Sequence, residues 1–335
     1  MDDFIDLSKE VSRPSESVDA IIEKKAWLAS DLDETDWVVS LSEAAIEEVE
    51  QMIATISKQP LPTLLRRPDQ FHIPNLRDIF TRVKKICDEG IGFAVIDRLP
   101  IDDFKIDPMV EVYWTLGHLM GPNVAQKWDG TMIYDVTNTG KQYGYGVRGS
   151  ATNVELLFHT DNAFGIKVPD HVGLLCRCPA KYGGASRFCS LYSVHQIMEN
   201  KFPKQLERLY EPMHFDRQAE HASGAPKTSF APFFSWHDNK LRCRANSSLV
   251  RKGYEVSKKK MDAQLIEAIE AVDEVTATED LWIEAPLVRG QVQYLNNHEL
   301  GHYRSSFIDH EDSDKKRCLY RLWHRTDGNI TYDGG

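Results

Sequence analysis

The chain has 335 residues, of which 41% are hydrophobic, 27% charged and 10% aromatic, a composition that supports a sizeable core and excludes disordered, collagenous and coiled-coil classes. Forty basic against 51 acidic side chains give a net charge of −11, which repels phosphate backbones and anionic headgroups, so neither nucleic acid nor a membrane is an expected partner. No apolar stretch approaches the ~20 residues that cross a bilayer, and the start MDDFIDLSKE has no apolar signal core, so a cytoplasmic location is expected.

In chain order, Ser40-Leu-Ser-Glu43 reads as a capping box, followed by Ile46, Val49, Ile53 and Ile56 at helical spacing up to Gln59-Pro60. A second helix is predicted over 75–89, with Leu76, Ile79, Phe80, Val83 and Ile86 on one face and Gly90 as its stop. IGFAVIDRLP reads as a buried strand, and Asp107-Pro108 opens a third helix to about Met120. From Val147 onward short strand-like runs are punctuated by Gly, Pro and Asn, with helical segments over 192–200, 203–210 and 258–275. Met261, Leu265, Ile269 and Val272 form the apolar stripe of the last one. The six cysteines include no Cys-x-x-Cys pair, and Cys176 and Cys178 sit at alternate positions of an apolar strand, so reduced, buried thiols are expected. No repeat or long linker divides the chain. One domain, 1–335, is expected: an N-terminal helical layer over 1–90, then a mainly β core with helical insertions over 91–335.

Three His-x-Asp tripeptides occur, at 159/161, 214/216 and 310/312. His310 lies in the charged run DHEDSDKK and reads as solvated loop; His214 reads as surface hydrogen bonding or a local ion pair. His159 differs because it ends the apolar strand NVELLFHTDN, whose alternation sends positions 159 and 161 to one face. A catalytic metal needs a third ligand, and GQVQYLNNHELGHYRSSF offers His302 at the start of a returning strand. Two histidines and one carboxylate with open positions match the facial triad of non-haem Fe(II) oxygenases, and zinc hydrolases use the same ligand types. The pair Arg317 and Arg321 favours iron. Spacing four on a strand puts both guanidiniums on one face about 13 Å apart, suited to 2-oxoglutarate, which has a carboxylate at each end.

FHTD at 158–161, the GG-x-S stretch at 183–186, NN-x4-H-x-R from Asn296 to Arg304 and R-x3-R at 317–321 follow in an order that resembles the taurine dioxygenase and clavaminate synthase-like family of Fe(II)/2-oxoglutarate-dependent oxygenases. The resemblance covers most of the chain, from Trp27 onward. It implies a double-stranded β-helix, or jelly roll, with iron held by His159, Asp161 and His302. It further implies that Arg317 grips the distal carboxylate of 2-oxoglutarate, helped by Ser186 where relatives often carry Thr, and that Arg321 lies nearer the metal, touching the proximal carboxylate or the substrate.

The reaction implied consumes O2 and 2-oxoglutarate, releases succinate and CO2, and hydroxylates an aliphatic carbon; desaturation or ring closure can begin from the same hydrogen abstraction. Asp161, being a carboxylate, leaves no ligand site for halide. Gln126, Arg148 and Asn153, which the resemblance puts near the mouth, imply a small polar, amino-acid-like or organic-acid substrate. Phe158 and Trp323 read as core. The rival reading is a zinc hydrolase on the same three ligands, which would leave the two arginines without a shared purpose. Homo-oligomerisation is left open.

Overall fold

Helix Glu43–Lys58 begins where the Ser42 hydroxyl accepts from the Ala45 N–H at 3.2 Å. Ser40 instead ends the strand Val38–Ser40, so the predicted capping box dissolves: the backbone there is extended and pairs in parallel with Phe93–Asp97. Helix Pro74–Glu89 opens on a proline, which costs nothing where an N–H would be unpaired anyway, and stops at Gly90 as predicted. With Ile106–Gly117 these helices bury Val49, Met52, Phe80, Val83 and Val112 against Ala94, Tyr294 and Leu322 of one sheet. Each such side chain contributes roughly 1.5–3 kcal/mol by leaving water.

In the computed structural model every residue is described except 1, 2, 11–13, 15, 16 and 145. Among the described residues, strands form the framework and eight α-helices surround it. The main sheet runs Val38–Ser40, Phe93–Asp97, Val292–Asn296, His171–Cys178, Cys318–His324 and Asn123–Val124, with Tyr134–Thr137 also pairing the Cys318–His324 strand. A second sheet runs Trp282–Glu284, Ser186–Ser190, Leu300–Arg304 and Leu156–His159. Phe93, Val172 and Leu295 of the first sheet share one apolar cluster with Phe188, Ile283 and Leu300 of the second, and the Phe93 and Phe188 rings stack at 4.4 Å. Every residue of Cys318–His324 is buried, because this strand has neighbours on both edges and packing on both faces.

Helices Leu191–Lys201 and Pro203–Leu209 fall where the sequence predicts them. The segment predicted over 258–275 differs. Its helix is Ala263–Thr276, capped by Asp262, and Lys258 ends a separate helix, Ser247–Ser257, in left-handed conformation at φ 56°. That earlier helix buries only a short stripe through Leu249, Val250 and Tyr254, too little periodicity to register beside the Lys258-Lys-Lys run. All six cysteines are free thiols, five buried and Cys178 half-buried. No helix of the described residues is long and apolar enough to cross a membrane.

Candidate active site

His159 closes strand Leu156–His159 and His302 is the middle residue of Leu300–Arg304; the antiparallel ladder pairs them directly, with ring centroids 4.2 Å apart. Asp161 lies just beyond the strand. Its N–H donates to Asn297 Oδ1 at 2.7 Å, and Asn297 Nδ2 donates back to the Asp161 carbonyl at 2.9 Å. Asn297 thus fixes the backbone that carries the carboxylate. Asp161 Oδ1 then stands 3.6 Å from His159 Nε2 and 3.5 Å from His302 Nε2, and one donor atom from each residue lies within 4.8 Å of the others. Ligand bonds of ~2.1 Å at right angles leave donors ~3 Å apart, so small side-chain adjustments bring all three onto one ion.

The electrostatics favour a metal-ready state. Burial alone would raise the Asp161 carboxyl, but Arg321, then the His159 and His302 rings, hold it well below the ordinary 3.8. Arg321 Nη1 and Trp323 Nε1 both donate to its other oxygen, Oδ2, at 2.9 and 2.8 Å. Burial and the nearby His159 push His302 down to about 4, so its imidazole is neutral and ligand-competent at neutral pH. His159 Nδ1 lies 2.7 Å from the Leu157 carbonyl, an orienting contact that leaves Nε2 for a metal.

The three donors line a cavity of about 370 Å³, whose wall also carries Ser186, Arg304, Arg317 and Arg321. Arg317 is buried and its Nη1 has no protein hydrogen-bond partner. Room for its guanidinium comes from Gly184 at φ +71°, where an added Cβ would come within 2.9 Å of Arg317 Nε. Ser186 lies directly across the ladder from Arg304. The unpartnered guanidinium N–H of Arg317, on the same cavity wall as Ser186, suits a carboxylate group.

Residues 59–323 match the family model described as Taurine catabolism dioxygenase TauD, TfdA family. The chain belongs to the TauD, TfdA family. It is therefore an oxidoreductase, an iron- and 2-oxoglutarate-dependent dioxygenase, which sets the zinc-hydrolase reading aside. Among curated proteins it is similar to the FR-33289 synthase of Streptomyces rubellomurinus, 24% identical over 87% of this chain and 86% of that protein. Among solved structures it is similar in fold to an asparagine oxygenase in complex with Fe(II), 2S,3S-3-hydroxyasparagine and succinate, with TM-score 0.67, 18% identity and coverage of 87% of this chain and 94% of that one. The non-heme iron oxygenase OrfP in complex with Fe, succinate and (3S)-hydroxy-L-Arg aligns with TM-score 0.66 at 15% identity, over 89% of this chain and 99% of that one.

The three residues expected near the mouth separate. Arg148 lines the cavity, buried, with Nη2 3.0 Å from Glu220 Oε1. Gln126 does not: it is fully buried behind Arg321, accepting from Arg321 Nε at 2.8 Å and donating to the Arg321 and Met132 carbonyls at 2.6 and 2.9 Å. Asn153 is exposed and braces backbone, its Nδ2 donating to the Phe307 carbonyl at 3.3 Å. Trp323 is core as expected, and its indole N–H also holds the Asp161 carboxylate; Phe158 packs against an apolar core cluster and lines the cavity as well. His214 is buried rather than superficial, contacting Thr228 Oγ1 at 3.1 Å and Lys259 Nζ at 3.0 Å outside this site.

Two functional positions escaped the sequence reading although both stand in quoted motifs. Asn297, in NN-x4-H-x-R, is the brace described above. Arg304, two residues after His302 and so on the same strand face, donates through Nη2 to the Thr152 carbonyl at 3.0 Å and to the Val154 carbonyl, anchoring the segment that follows Arg148. Burial, then the neighbouring Arg317, lower its pKa to about 9.

Proposed function

We propose that this dioxygenase hydroxylates an unactivated C–H bond of a small amino-acid-like or organic-acid substrate, with succinate and CO2 as coproducts, and that His159, Asp161 and His302 hold its Fe(II). The observation that carries this reading is the convergence of two imidazoles and one carboxylate on the wall of a cavity that also holds an unpartnered Arg317 donor. The two sheets are read as the walls of a double-stranded β-helix, and 1–335 as one catalytic domain. Parallel pairing of Val38–Ser40 with Phe93–Asp97, which ties the N-terminal layer into the main sheet, supports the single domain.

In this reading Asp161 and the histidine rings supply three ligands, and iron with 2-oxoglutarate supplies oxygen activation and hydrogen abstraction. The chain's own work is placement. Arg317 and Ser186 take the distal carboxylate of 2-oxoglutarate, a charge-assisted contact that fixes its orientation. Arg321 and Trp323 hold Asp161 Oδ2, which aims Oδ1 at the histidines. Phe158, Phe164 and Phe188 on the cavity wall exclude water from the reacting carbon.

The amino-acid products in the similar solved structures support an amino-acid-like substrate. The test is a screen of amino acids, sulfonates and small carboxylic acids for substrate-stimulated succinate release, with products identified by mass spectrometry. A product gaining one oxygen supports hydroxylation; a product losing two hydrogens identifies desaturation or ring closure instead. Succinate formation independent of every compound and of Fe(II) would overturn the reading.

A further inference from the structure

The lining of the cavity is cationic. Arg148, Arg304, Arg317 and Arg321 all line it, each buried, against the buried Asp161 and the exposed Glu155. The dianion 2-oxoglutarate and a divalent ion cancel each other, so they leave this excess in place. Glu220, paired with Arg148, and Asp309, beside Arg317, each offset one guanidinium from outside the cavity wall.

Arg321 and Arg148 differ in what they can still do. Arg321 donates through Nε to Gln126 and through Nη1 to Asp161, which leaves its Nη2 outside both bonds. Arg148 is 8% exposed, and neither its Nε nor its Nη2 makes a hydrogen bond with good geometry, even with Glu220 alongside at 3.0 Å. The Tyr134 ring fixes its place, lying 5.7 Å from the Arg148 guanidinium carbon and 4.9 Å from that of Arg321. A buried guanidinium with unused donors is costly unless an anion completes it.

We infer that Arg148 is the anchor for an anionic group of the prime substrate, a carboxylate or sulfonate. Glu220 is the internal counter-ion that holds Arg148 in place until the substrate arrives. Its Oε2 accepts from the Trp128 N–H at 2.7 Å, which keeps the carboxylate anchored while the guanidinium changes partner. Asn162, next to the proposed ligand Asp161, adds a buried Oδ1 without a donor on the same cavity wall, suited to an ammonium in an amino-acid substrate. This inference rests on the function proposed above.

The experiment titrates protein loaded with Mn(II) and 2-oxoglutarate with L-asparagine, L-arginine and taurine, each against an anion-free counterpart (the two α-amides and ethanolamine), and follows tryptophan fluorescence. At least one anionic probe is expected to bind saturably while its counterpart does not. Arg148→Gln should weaken that probe about tenfold or more, with Arg148→Lys intermediate. Glu220→Gln should tighten it by removing the internal competitor, an effect opposite in sign to a folding defect. Equal binding of acids and counterparts, no binding by any anion, unchanged affinity in Arg148→Gln, or weaker binding in Glu220→Gln each overturns the inference. Binding of 2-oxoglutarate to the Mn(II)-loaded wild type is measured first: its absence would defeat the parent function, whereas its presence with failure of the anion test defeats this inference alone.

Discussion

Gly184 and Arg317 are fitted to each other: the glycine lacks a Cβ where one would come within 2.9 Å of the guanidinium Nε, and its φ of +71° is one that side chains disfavour. Gly184→Ala should therefore displace Arg317 and weaken 2-oxoglutarate binding about tenfold while leaving metal affinity nearly intact. Titration of 2-oxoglutarate into the Fe(II) protein under anaerobic conditions, read by absorbance, checks this. Wild-type affinity in the variant would show that Arg317 does not bear on the cosubstrate.

Arg317→Ala removes the charge itself. Loss of a charge-assisted carboxylate contact is expected to cost about 1.5–3 kcal/mol of 2-oxoglutarate binding and much less of prime-substrate binding. Equal losses for both ligands would contradict the assigned role.

His159→Ala and Asp161→Ala should both abolish iron binding and turnover, yet differ in stability. Removing Asp161 strands the buried Arg321 beside it, a loss of about 3–5 kcal/mol by analogy with broken buried ion pairs, whereas His159 is half-buried and leaves no charge unpaired. Denaturant unfolding of the metal-free variants measures the difference. Iron content equal to wild type in either variant would remove it from the ligand set.

Asn297→Ala leaves all three donors in place and removes the brace on the Asp161 backbone. A loss of metal affinity by roughly 10–100-fold is expected, the range typical for partners that orient ligands. Competition with a fluorescent chelator provides the measurement.

Acid should destabilise the metal-free protein in two stages. Burial lowers His298 to about 4 and His324 to about 3, against 6.5 when unfolded. Between pH 6.5 and about 4 the unfolded chain binds protons that the folded one refuses, so stability falls by about 1.4 kcal/mol per pH unit for each histidine as pH drops. Below about 3.8 the depressed carboxyls Asp161 and Asp170 add their own loss, as the unfolded chain protonates first. Denaturant midpoints at pH 7, 5.5 and 4.5 check the first stage, and His324→Asn should flatten the slope.

The sequence made legible what depends on local pattern. His159 stands out because an apolar strand leads into it, and the amphipathic stripes of Glu43–Lys58 and Pro74–Glu89 declare their helices. What escaped depends on long-range juxtaposition. Nothing near Gln126 in the chain reveals that its amide is spent on Arg321, 195 positions away, and Trp323 looks like any core aromatic until Asp161 is set beside its indole N–H. Asn153, which the resemblance puts near the mouth, donates to the Phe307 carbonyl, a backbone contact 154 positions away that no local pattern announces.

The pairing of His302 with His159 carries a consequence for how the chain assembles. Side chains on a strand alternate between faces, so a slip of one residue between Leu156–His159 and Leu300–Arg304 would turn one imidazole away from the other. A mispaired chain could satisfy much of its backbone yet capture no ion. If these residues hold the iron as proposed, its uptake during refolding would report correct alignment of two segments separated by well over a hundred residues of intervening chain.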